Sequence, residues 1–227
     1  MGGASVAYSR AALEALRAEF FPGGIVREAA GLRLLDRVAP HGRLPDAASV
    51  ALLMAVLEIA AEVPASLPTF LLAQLRDAII AGEGPAIGPR RHFSRTIDGG
   101  DVKLIRSVLD AAAGRGGKPV SRGEAEALFD LHDAAAGSDN DPRFDELFYR
   151  AVAQHLLAAS GHPVPSRREA LRESWTPANS LRSQEAAWLV QHIMRDGRPT
   201  TAELKLIALL GQESRDNALR RFVDFAA

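Results

Sequence analysis

Three short glycine turns, each set between helix-like segments, constrain this chain more than any other feature. They are Gly42-Arg43-Leu44-Pro45-Asp46, Gly117-Lys118-Pro119-Val120-Ser121 and Gly197-Arg198-Pro199-Thr200-Thr201. An acidic residue follows each glycine by sixteen positions: Glu58, Asp133 and Glu213. A glycine supplies the left-handed backbone that ends one helix, and the Asp, Ser or Thr a few residues on caps the next. The spacing therefore predicts an all-α protein, a bundle of about ten helices built from repeated helix-turn-helix units.

Apolar spacing is helical almost throughout, and no stretch sustains the alternation of a half-buried strand. Helices are expected over 8–20 and 25–38, then from an Asp46 cap to Glu62, and onward from Pro68. The segment 47–62 is apolar on most sides, which places it at the centre of the first half. Gly82 to Thr96 reads as a linker. Beyond it, Ser121-Arg122-Gly123-Glu124 and Thr200-Thr201-Ala202-Glu203 have capping-box form, and Asp141-Pro142 marks another start. Gly161 to Ser180 is irregular apart from one short helix, and a last helix carries Leu219, Phe222 and Phe225. Three units follow: 1–83, 97–160 and a truncated 181–227, the last two able to form one compact body over 97–227.

Composition narrows the function classes. Lys and Arg number 27 against 28 Asp and Glu, so no basic excess points to nucleic acid. The absence of cysteine removes disulfides, thiolate metal sites and a cysteine nucleophile. No apolar run is long enough to span a bilayer, and Met1 to Ala18 has no signal-type core, so a cytoplasmic protein without membrane insertion is expected. Gly-x-Ser-x-Gly and Gly-x-x-x-x-Gly-Lys motifs are missing, and no two of the six histidines stand four apart. His155 and His192 share helix faces with Phe148 and Trp188 and read as packing residues. An acid–base pair of His132 and Asp133 is not expected, because neighbours on a helix point about 100° apart. The chain reads as no enzyme, with no cofactor.

A calcium loop is the sharpest chemical idea the turns suggest, and it fails on its ligands. With Gly197 as the sixth loop position, Asp196 and Glu203 fit, but the first and third positions hold His192 and Met194. The other two copies place Gly123 and Ala48 at the last ligand position. What remains are the recurrent acids Glu58, Asp133 and Glu213 as candidate binding residues, or as caps and partners of a turn arginine. The densest acidic run spans Asp133 to Glu146, and within it Asp139, Asp141 and Asp145 are the candidate ligands for calcium or magnesium. Arg90, Arg91, His92 and Arg95 form a basic counterpart in the linker.

The Asp-Gly-x-x-Thr-x-x-Glu pattern between helices at 195–210, and its variant at 116–133, resemble the TerB-like family of tellurite-resistance proteins. The likeness covers 97–157 and 183–210 and weakens toward the N-terminus, where His41 and Ala48 depart from the pattern. It implies an all-helical bacterial domain whose acidic residues near the turns are associated with metal and with membrane-associated stress complexes. By position Asp196, Glu203 and Asp133 match. The expected function is a non-catalytic interaction or scaffold module with a protein partner, self-association remaining open. The alternative is a divalent-cation sensor built on 133–146.

Overall fold

The computed structural model describes residues 10–88, 95–171, 175 and 181–211, and these are all-helical, with no strand among them. The order is α1 (Arg10–Phe20), α2 (Glu28–Val38), α3 (Ala47–Ile59), α4 (Ser66–Ala81), α5 (Gly99–Ala112), α6 (Arg122–Ala134), α7 (Pro142–Ala159), α8 (Arg167–Ala170), α9 (Ser183–Ile193) and α10 (Thr201–Gly211). A 3₁₀ turn, 194–196, extends α9. Glu213, the C-terminal helix expected around Phe222, and the basic residues 90–92 lie outside the described residues.

Each turn glycine has positive φ: 69° at Gly42, 61° at Gly117 and 80° at Gly197. After each, a side chain caps the next helix. Asp46 accepts from the Ser49 amide, while Ser121 and Thr200 form reciprocal boxes with Glu124 and Glu203. The first two turns are also held by a glutamine amide from a long helix. Gln74 of α4 accepts from the Leu44 amide, and Gln154 of α7 accepts from the Val120 amide. These bonds satisfy backbone N–H groups of buried residues that no helix ladder reaches.

Two helices are shorter than their sequence pattern suggests, for one reason. Residues 24–26 run beside 60–62, with Val26 N–H donating to the Glu62 carbonyl and Ala61 N–H to the Gly24 carbonyl. That pairing draws Ile25 out of α2 and ends α3 at Ile59 rather than Glu62. A second correction concerns the centre of the first half. It is α4, not α3, that packs against α2, α3, α5 and α6 and buries Leu67, Leu71, Leu72, Leu75 and Ile79. Ile59 on α3 stays partly open to solvent.

One contiguous cluster of buried side chains runs from Phe20 to Leu210. Its C-terminal part is built around α7, which touches α5, α6, α8 and α10. Here rings gather: Phe129 meets Phe148 and Trp188 edge-on, Trp188 contacts His155 and His192, and His132 lies flat on Phe148 with centroids 4.5 Å apart. One charged pair is sealed in the same body. Arg167 of α8 grips Glu124 of α6 through two bonds of 2.6 and 2.8 Å and donates to the carbonyls of Leu109, Lys118 and Pro119. All five guanidinium N–H groups are thereby used, which is what a buried arginine requires.

Candidate metal centre

Three ligand-bearing side chains converge where the end of α6 meets the start of α10. His132 and Asp133 come from the last turn of α6, and Glu203 from the first turn of α10. One atom from each lies within 4.8 Å of the others, the one such His/Asp/Glu group among the described residues. Glu203 is there because it closes the capping box of α10, accepting from both the amide and the hydroxyl of Thr200, at 2.7 and 2.9 Å. His132 is there because its ring packs on Phe148. His132 and Glu203 are buried, and Asp133 is half-buried.

Proton bookkeeping determines what this group needs. With Glu203 ionised, the single Thr200 hydroxyl proton goes to its carboxylate, so that oxygen is an acceptor toward His132 Nε2 at 3.2 Å. Nε2 then carries the imidazole N–H, and the neutral ring's lone pair sits on Nδ1. Nδ1 is shielded from water and has no hydrogen-bond partner. It faces Asp133 Oδ1 at 3.6 Å, beyond hydrogen-bond reach. A neutral ring sets that lone pair against the carboxylate, and a cation between them relieves the pair, whether a proton on Nδ1 or a metal ion.

Arginine charge already reaches one side of the centre. Burial pushes the Asp133 carboxyl up, but the Arg195 guanidinium, together with the His132 ring in its protonated form, outweighs it and holds it below the usual carboxylate range. Arg195 reaches it from the 3₁₀ turn through Nε, at 2.8 Å, and Nη2, and its Nη1 bonds Asp130 at 2.9 Å. Arg76 of α4 meets the other oxygen of Asp130 at 3.3 Å. Glu203 goes the other way: burial raises its carboxyl above the ordinary value in spite of the Thr200 bonds.

The remaining sequence candidates are placed as follows. Glu58 is exposed at the end of α3, remote in sequence and structure from this group. Asp139 is exposed, and Asp141 caps α7 while pairing with Arg143, whose side chain draws its carboxyl down to about 2. Glu146 pairs with Arg150. Asp139, Asp141 and Asp145 therefore do not converge with one another, and Asp133 alone of the 133–146 run reaches the group. The Asp196 side chain lies outside the described residues. Asp133 does pair with a turn arginine, Arg195, as one reading of the recurrent acids anticipates. His132 Nδ1 and Asp133 Oδ1 stand 3.6 Å apart, beyond hydrogen-bond reach. His155 and His192 are held as packing residues, by the carbonyls of Val120 and Trp188 respectively.

His132 and Glu203 escaped sequence reasoning as a pair because their meeting is tertiary. The one local signal was the capping box, which fixes where Glu203 sits but not what faces it. Compared with protein-family models, with curated proteins and with solved structures, the chain matches none.

Proposed function

We propose that this chain is a non-catalytic helical interaction module that binds a divalent transition-metal ion through His132, Asp133 and Glu203. The observation that carries the reading is the His132 Nδ1 lone pair, buried, unpartnered and 3.6 Å from the Asp133 carboxylate. Two donors on one tetrahedral zinc, each about 2.0–2.1 Å from it, stand roughly 3.3–3.4 Å apart, so a small closing movement suffices. An imidazole with two carboxylates suits zinc or manganese better than calcium, which prefers an all-oxygen shell. The surroundings also suit a metal: His132 Nε2–H is fixed by Thr200, and Asp133 is oriented by Arg195. The cation moves from Asp139, Asp141 and Asp145 to this centre, and the TerB-like resemblance supplies the context of a bacterial stress module with a protein partner.

Calorimetric titration of metal-stripped protein with Zn²⁺ and Mn²⁺ tests this. A 1:1 site is expected, weakened at least roughly tenfold by Asp133→Asn or Glu203→Gln, with affinity rising with pH as protons cease to compete for the ligand atoms. Absence of heat at millimolar metal, or unchanged affinity in both variants with the fold intact by circular dichroism, removes the reading.

A further inference from the structure

A second locus lies between the ends of α3 and α5 and the short helix α8. It is a cleft of about 380 Å³ lined by Glu58, Ser107, Asp110, Arg115 and Arg168 over a floor of small residues. That volume falls in the range of small-ligand sites. We propose that this cleft binds a small zwitterion of amino-acid to dipeptide size, its ammonium on Asp110 and Glu58 and its carboxylate on Arg115 and Arg168.

The carboxylates carry the first half of the inference. Asp110 sits in the last turn of α5 and Glu58 in the last turn of α3. Both are positions where the helix dipole disfavours negative charge and a cation is welcome. Neither is relieved by a described residue through a hydrogen bond or ion pair. Asp110 Oδ1 is shielded from water, so a ligand in the cleft meets this carboxyl through its other oxygen.

The arginines carry the second half. Arg115 and Arg168 line the same cleft, yet neither pairs with Glu58, Asp110 or any other described residue. Two charges of each sign thus face one cavity uncancelled, which matches a net-neutral ligand with separated poles. The walls are also fixed before any ligand arrives. Arg115 N–H donates to the Ala61 carbonyl at 2.9 Å, and Lys118 pairs with Glu62 at 3.0 Å. Arg167 pins α8 by its five bonds, so Arg168 springs from an anchored base. Anchored walls lower the ordering cost of binding.

The test uses the full chain, L-alanyl-L-alanine, and two capped forms of that dipeptide, N-acetylated and C-amidated, followed by backbone amide NMR shifts. Saturable shifts at Asp110, Arg115 and Arg168 are expected with the free dipeptide, and roughly tenfold weaker binding with either cap. Asp110→Asn should shrink the penalty of acetylation while keeping that of amidation, and Arg168→Gln should do the reverse. Equal binding of the capped and free forms, capping penalties that neither substitution alters, or no saturable shift at millimolar dipeptide overturns the proposal. None of these outcomes depends on metal, so the cation centre and the cleft stand or fall separately.

Discussion

Arg167 spends every N–H it has on one small region, and its removal strands the Glu124 carboxylate in the protein interior. Breaking a buried pair from one side costs about 3–5 kcal/mol, so Arg167→Met should lower the urea midpoint by a corresponding amount. Adding Glu124→Gln should return part of the loss, because the amide can still cap α6 without a stranded charge. Two other acids set opposite pH trends in the metal-free protein. Glu203, raised by burial, holds its proton more tightly folded than unfolded, so its stabilising contribution is complete below its ordinary value of 4.5 and is lost as pH rises through the raised value. Asp133, net lowered, contributes above its ordinary 3.8 and loses that contribution as pH falls through its depressed value. Stability should fall less as pH rises above 4.5 in Glu203→Gln, and fall less as pH drops below 3.8 in Asp133→Asn. Neither acid's environment can be read from its neighbours in sequence: Thr200, which links Glu203 to His132, stands 68 residues from that histidine.

At the scale of elements, what is local proved readable. Ser121, Thr200 and Asp141 cap as their spacing predicts, since a cap needs only three or four residues in order. What failed were helix ends and centres that other segments determine. The 24–26 segment cannot be seen pairing with 60–62 from either stretch alone, and α3 is more apolar than α4 although only α4 is surrounded. The glycines divide in the same way. Gly42 needs only its positive φ, with nothing within 4 Å of an added Cβ, so Gly42→Ala should cost about 1–2 kcal/mol. Gly114 shares the left-handed backbone, but a Cβ there would meet the Ala61 carbonyl oxygen at 2.4 Å. Gly114→Ala should cost an additional ~1–3 kcal/mol from that clash, and thermal denaturation of the pair gives the difference directly.

Across the whole molecule, the buried cluster that joins Phe20 to Leu210 is packed continuously past the candidate centre, to residues that never touch it. His132 lies on Phe148, Phe148 abuts Phe129, and Phe129 meets the indole of Trp188 with centroids 5.7 Å apart. A packed route, ring against ring, thus runs from His132 to a fluorophore set between two further imidazoles, His155 and His192. Imidazole contact quenches or shifts indole emission according to distance and charge, so the molecule carries its own optical gauge. With Trp175→Phe leaving Trp188 as the sole emitter, zinc should change its intensity or wavelength along the same isotherm as the heat. A flat emission trace beside a saturating heat curve would mean that the rings, though stacked, do not transmit.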